Sequence, residues 1–161
     1  MNNEQDAPIG YLQRRQIEAR VLIPFIEACL GRFGEVRTRE LVTATIRRLT
    51  TDDGAKWAET YGCSLASPRS FAEDLCARGS LDIDVVGQTD DHLDLNVTRC
   101  RCAEFYKDLG LADIGNLVHC NRDHAMNVGF DPDIELARMH TLTEGTSHCD
   151  FRFDKKPARE T

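Results

Sequence analysis

Three places in this chain set reactive side chains at the ends of elements rather than in the middle of an apolar stripe. They are Cys100, then Cys120 with Asp123 and His124 close by, then Cys149 beside Asp150 in "CDFRF". A cysteine attacks as its thiolate, which calls for a helix N-terminus, a histidinium or another cation to lower its pKa. Cys120 has that context in sequence: it opens "CNRDHAMNVG", where free backbone N–H groups favour an anion, and Asp123 and His124 follow one turn later. The plainer alternative is that Cys120 packs and Asp123 caps a turn. His119, His140 and His148 are isolated and read as ordinary histidines. Cys100 and Cys102 are too close for a zinc-finger knuckle, and neither CxxC nor HExxH occurs, so no metal is expected. Were an ion held, Cys120, His124 and Cys149 would be its expected ligands.

The elements that must position these groups follow from periodicity. Ile17, Val21, Leu22, Phe25, Ile26, Cys29 and Leu30 recur at helical spacing up to Gly31 and Gly34, with Pro24 expected to kink the helix or restart it. "TRELVTATIRRL" carries a second stripe (Leu41, Val42, Ile46, Leu49), and a shorter separate helix is expected in "DGAKWAETYG". "SPRSFAEDLCARG" punctuates itself, with Ser67 as N-cap, Pro68 at the first helical position, Gly79 after the last turn and Cys76 toward the core. From Ser80 the period becomes two. "LDIDVV" and "HLDLNVT" form a hairpin around "GQTDD", with Leu81, Ile83, Val85, Leu93, Leu95 and Val97 on one face and the acids on the other.

A helix follows in "RCAEFYKDLG", which buries Cys102, and short helical pieces cover "ADIGNLVHC" and "NRDHAMNVG". "IELARMHTLT" and "SHCDFRF" then predict a second hairpin around Glu144, Gly145 and Thr146, with Met126 and Met139 as core filler. In the last strand Cys149, Phe151 and Phe153 share one face while His148, Asp150 and Arg152 share the other. Cys149 and Asp150 therefore enter one pocket only if a bulge or a strand end turns both the same way. The expected fold class is α+β: a helical N-terminal half packed on a four-stranded antiparallel sheet of two hairpins. One domain spans 1–161, with a helical half at about 9–79, a sheet-containing half at about 80–154 and a frayed polar tail at 155–161.

Composition narrows the function. At 161 residues and 41% hydrophobic content the chain suits a single core. Its 27 acids against 20 bases give a net charge of -7, and the bases form only scattered pairs, so nucleic acid is not an expected partner. No apolar run approaches the roughly 18 residues of a membrane span, and "MNNEQDAPIG" does not read as a leader. A cytoplasmic protein without membrane contact is expected, with a homo-oligomer left open. Seven cysteines, an odd number, fit free thiols better than a disulfide framework.

The stretch from Asn96 to Phe153 resembles the L-2-amino-thiazoline-4-carboxylic acid hydrolase family. Its landmarks come in order: Cys100 in "VTRC", Tyr106 and Gly110 in "FYKDLG", Cys120 and Asp123 in "CNRD", "GF" with Pro132, Arg138, Thr143 with Gly145, and the terminal "CDFRF". The helical first half is compatible but carries no matching motif. The resemblance implies hydrolytic opening of a cyclic amidine to a carbamoyl-cysteine type of product, without a cofactor. The residues expected to carry that chemistry are Cys120, Asp123, Cys149 and Asp150 as catalytic groups, with Arg138, Tyr106, His124, Thr143 and Cys100 around the substrate. Two departures bear on the substrate: His124 stands where an aromatic or aliphatic residue is expected, and Met139 and His140 stand where small polar residues are.

An aminothiazoline is a cyclic isothiourea, cationic when protonated, and a carboxylate can grip its N–C–N edge with two hydrogen bonds as it grips arginine. Asp123 and Asp150 can divide the work, one holding the amidinium and one acting as general base. The attacking group is either Cys120 or Cys149, through a covalent adduct, or an Asp-activated water. Arg138, mid-strand among apolar neighbours, is the expected clamp for a substrate carboxylate, with Arg152 second. Its equal alternative is a salt bridge to Asp150 or Glu135. The competing classes are a small-molecule sensor domain that binds an apolar or haem-like ligand without turning it over, and a partner-binding accessory subunit.

Overall fold

A computed structural model of the chain describes residues 9–157. Two long helices come first, α1 (Tyr11–Phe33) and α2 (Glu35–Tyr61), then α3 (Ser67–Ala77). The hairpin β1 (Leu81–Gln88) and β2 (His92–Cys100) follows, then α4 (Arg101–Asp108), the short α5 (Ala112–Gly115), a π-helical turn (Asn116–Cys120) and α6 (Arg122–Phe130). β3 (Ile134–Ala137), a 3-10 turn (Leu142–Glu144) and β4 (Cys149–Lys155) complete the order. The sheet is four-stranded and antiparallel throughout, in the order β1-β2-β4-β3. The α+β architecture is therefore the one expected.

The alternation of β2 and β4 decides which face is core. Leu93, Leu95 and Val97 pair in register with Phe153, Phe151 and Cys149; the first two pack inward with Phe153, Leu65, Ala72, Ile134 and Leu136, and Val97 and Cys149 with Cys100, Cys102 and Ala103. Each such aliphatic or aromatic side chain contributes roughly 1.5–3 kcal/mol when taken from water. On the opposite face Arg152 donates to the carbonyl of Leu95 (3.1 Å) and to Asn96 Oδ1 (2.9 Å), and lies 3.3 Å from Asp94 Oδ1. Arg152, the second choice of clamp, is thereby committed to the polar side. Edge strand β1 slips register between Val85 and Gly87, which leaves Val85 exposed instead of inward.

Several local expectations are corrected. Helix α1 runs unbroken through Pro24. Both Pro24 and Arg20, whose carbonyl loses its donor, lie on the solvent side where water can bond it. Ile17, Val21, Phe25, Leu41 and Leu49 of the two expected stripes are exposed, while Ile26, Cys29, Val42 and Ile46 are buried. Helix α2 does not break at "TTDDG": Thr50 and Thr51 bond back to the carbonyls of Ile46 (2.8 Å) and Arg47 (3.0 Å), absorbing their hydroxyls into the helix. Gly54 stays helical because α6 crosses there. A Cβ on Gly54 would stand 2.1 Å from the Met126 carbonyl oxygen, and one on Gly129 2.0 Å from that of Thr51. Ser67 begins α3 rather than capping it, since its hydroxyl donates to the Tyr61 carbonyl (2.9 Å). Cys76 is half-buried.

At the other end of the chain β3 stops at Ala137, well short of the expected strand. The N–H groups of Met139 and His140 are taken by Asp150 Oδ1 at 3.0 and 2.6 Å, which peels this segment off the ladder. Met139, expected in the core, is 83% exposed as a result. Lys155, placed in the tail by the sequence, closes β4, and its N–H donates to the Asp91 carbonyl (3.0 Å). The tail from 158 lies outside the described residues. Among the described residues no helix is long and apolar enough to cross a membrane.

Candidate active site

Between the inner face of the sheet and the helices lies a cavity of about 110 Å³. Leu95, Val97, Phe151 and Phe153 form its floor, Phe71 and Leu75 of α3 and Met126 and Phe130 of α6 its walls. Its polar rim collects Tyr11, His119, Cys120, Asp123, Arg138, Thr143 and Cys149. That volume is well above the roughly 10–15 Å³ at which a cavity admits a single water. That suits a small ring with one or two substituents.

The charges in this rim belong to Asp123, in the first turn of α6, and Arg138, just past the end of β3. The Arg138 guanidinium is ion-paired through Nη1 to Asp123, donates through Nη2 to the Cys120 carbonyl (3.1 Å) and lies 5.5 Å from the centre of the Phe151 ring. The Arg138 side chain is only 8% exposed. Burial works against its charge, but Asp123 and the neighbouring thiols outweigh burial and raise its pKa. Nε of Arg138 is buried without a hydrogen-bond partner among the described residues, so one donor on this arginine is unspent. Its partner is neither Asp150 nor Glu135, the two acids expected from the sequence.

Cys120 and Cys149 do meet at the cavity. Cys120 closes the π turn rather than opening a helix, and its Sγ lies 3.4 Å from Thr143 Oγ1, itself 2.9 Å from Thr141 Oγ1. Cys149 Sγ accepts the N–H of Leu142 (3.2 Å). Burial, reinforced by the Asp123 carboxylate, pushes the Cys120 thiol up to about 12, and burial pushes Cys149 up to about 11. Among the described residues no histidine bonds either sulfur. The lowered pKa that a nucleophile would need is absent at both.

Asp150 does not join them. Strict alternation sends it to the polar face, where it holds the N–H groups of Met139 and His140 and lies 3.2 Å from His140 Nδ1. Burial alone would raise its carboxyl, but these bonds outweigh burial and keep it low. No bulge follows Gly145, so only Cys149 of the pair faces the cavity. Tyr106 is buried against Gly115 outside the cavity lining, with burial pushing its hydroxyl up to about 12. His124 is likewise off the lining, and burial lowers its pKa.

Cys100 lies on the rim, but its neighbours are Cys102 and His119, not Cys120. Among the described residues the donor atoms of the expected trio of metal ligands, Cys120, His124 and Cys149, do not gather. His119 and Tyr11 are the rim residues that sequence reasoning passed over. Tyr11 carries no motif, while His119 has a readable signal in hindsight: it sits directly before Cys120, in the segment that forms the π turn.

Among the described residues, then, an α+β fold encloses a small, mostly apolar cavity with a buried ion pair at its rim. The family is defined by the sequence: the L-2-amino-thiazoline-4-carboxylic acid hydrolase profile matches residues 14–153, and the chain belongs to that family. No curated protein sequence matches it. Its fold is similar to that of the phenol-responsive sensory domain of the transcription activator PoxR, solved with phenol. That similarity has a TM-score of 0.56 at 11% identity, covering 92% of this chain and 76% of the other. It is also similar to a trafficking protein particle complex subunit 3 from Naegleria fowleri covalently bound to palmitic acid. There the TM-score is 0.51 at 10% identity, over 92% of this chain and 98% of the other. These likenesses establish the fold.

Proposed function

We propose that this protein is a hydrolase that opens a small cyclic amidine bearing a carboxylate, of the aminothiazoline-carboxylate type. The observation that carries the reading is the buried Asp123–Arg138 pair at the rim of the cavity. A zwitterionic ring offers each member a new partner: its amidinium edge replaces Arg138 at Asp123, and its carboxylate replaces Asp123 at Arg138. Because both charges stay paired in either state, the exchange avoids stranding a buried ion. Family membership supports a hydrolase.

The chemistry assigned to the residues is direct attack by water. Asp123 holds one amidinium N–H through one carboxylate oxygen and takes the proton of the attacking water on the other as that water adds to the amidine carbon. The tetrahedral intermediate then collapses with loss of a ring C–N or C–S bond, the departing atom receives the proton, and a carbamoyl product remains. The cysteine route is disfavoured because Cys120 and Cys149 have no base within hydrogen-bonding reach among the described residues. Asp150, on the far face, is assigned to holding the loop that carries Arg138 to the rim.

A second reading has its own support. The cavity floor and walls are apolar, and a similar fold serves a phenol-responsive sensory domain, so a sensor that binds a small ring without turnover fits the same space. Variants separate the readings. In a ring-opening assay followed by product mass, Cys120→Ser and Cys149→Ser retain turnover and Asp123→Asn abolishes it. Turnover lost in either serine variant, with binding intact, would restore the covalent route; binding with no turnover in the unmodified protein would make this a sensor.

A further inference from the structure

A second cluster, where the β2–α4 junction meets the cavity, takes no part in that scheme. Cys100 ends β2 in extended conformation (φ -136, ψ 114), and Arg101 starts α4 directly, so the chain turns sharply between Cys100 and Cys102. His119 comes from the π turn, a local widening of the helical spiral that is enriched at functional sites. The two sulfurs and an imidazole nitrogen all lie within 4.8 Å of one another, with Cys100 Sγ 3.9 Å from His119 Nε2. Tetrahedral zinc with sulfur at about 2.3 Å and nitrogen at about 2.0 Å sets its ligand atoms about 3.5–3.8 Å apart. Small rotamer adjustments bring the trio to that spacing.

We propose that Cys100, Cys102 and His119 form a binding site for a soft or borderline transition-metal ion, zinc foremost, with a fourth position open toward the cavity. Charge and burial both fit. Two thiolates and a neutral imidazole cancel a 2+ ion, so the filled site is neutral in a place where both cysteines are buried. Sulfur and imidazole donors without a carboxylate select zinc or copper over calcium or magnesium. Binding replaces the two thiol protons, which leave to solvent, and needs no redox partner.

An independent observation points to a missing ligand: Nδ1 of His119 is buried with no hydrogen-bond partner among the described residues. A buried nitrogen without a partner is destabilising, and a flip of the ring about its χ2 torsion would turn Nδ1 instead of Nε2 toward the sulfurs. Packing against two buried cysteines does not by itself account for that nitrogen. Cys100 and His119 line the cavity while Cys102 does not, so the vacant corner of a Cys2His tetrahedron opens on the cavity side. Three protein ligands with one open position is the arrangement that lets a metal bind or activate a small ligand.

The site is independent of the ring-opening reading, and cobalt distinguishes the two. Reduced, chelator-treated full-length protein titrated with Co²⁺ is expected to develop a thiolate-to-cobalt charge-transfer band and intense tetrahedral visible bands, saturating at one ion per chain. Cys100→Ser, Cys102→Ser and His119→Gln should each weaken binding at least tenfold, whereas Cys63→Ser, an exposed thiol, should change nothing. Weak octahedral bands without charge transfer in the unmodified protein, a reading that needs no variant to fold, would overturn the proposal. So would a thiolate band that persists in Cys102→Ser. Turnover by metal-free protein leaves the hydrolase intact while showing that it does not need this site; metal binding without turnover does the reverse.

Discussion

Removing Arg138 should hurt the fold before it reaches chemistry, and the size of the effect follows from its partners. Arg138→Met deletes the ion pair with Asp123, the bond to the Cys120 carbonyl and the contact over Phe151, while keeping the stem's volume. Breaking a buried pair by removing one partner costs about 3–5 kcal/mol, mostly because the other charge is left uncompensated. Asp123 is 24% exposed, so water relieves part of that and the lower end, about 3 kcal/mol, is expected. For a chain of this size that lowers Tm by roughly 6–12 °C. Removing the stranded charge as well should recover much of the loss. In a double-mutant cycle with Asp123→Asn, urea unfolding is expected to give a coupling energy of about 1–3 kcal/mol. Additive losses, within about 0.5 kcal/mol, would mean that the two groups are not an energetic unit and would remove the basis for the partner exchange proposed for substrate binding.

Other consequences are open to direct test. Cys149, raised to about 11 from an unfolded value near 9, binds its proton more tightly when folded, so its contribution is complete below about pH 9 and is lost as pH rises toward 11. Stability of the unmodified protein should therefore fall faster over that range than that of Cys149→Ala, by up to about 1.4 kcal/mol per pH unit; equal slopes would refute the shift. In native protein at pH 8, iodoacetamide should modify exposed Cys63 rapidly and leave Cys120 and Cys149 protected, as peptide mapping would reveal. Gly129→Ala forces a methyl group into the Thr51 carbonyl and should cost about 1–3 kcal/mol despite alanine's better helix propensity; a stabilised variant would contradict the close crossing of α2 and α6.

What could be read from the sequence was what a single periodicity decides. Alternation in "HLDLNVT" and "CDFRF" fixed the inner face of the sheet, and it correctly separated Cys149 from Asp150, because neighbouring residues on a regular strand point to opposite faces. Asp123, Arg138, Cys120, Thr143 and Cys149 were all named in advance and share one rim. What the sequence could not supply was set by long-range bonds. The early end of β3 depends on an Asp150 carboxylate across the sheet taking two N–H groups. The partner of Arg138 lies 15 residues back on α6, and no local pattern selects it over Glu135 or Asp150. The gathering of His119 with Cys100 and Cys102 needs the π turn to lie against the β2–α4 junction, which spacing rules for known zinc motifs do not describe.

Product formed per chain is the measurement that bears most directly on the central claim. Protein held with excess 2-aminothiazoline-4-carboxylate should yield many equivalents of a product heavier by one water, and Asp123→Asn should yield none while remaining folded by circular dichroism. Saturable binding of the ring with no product, or undiminished product from Asp123→Asn, would contradict it.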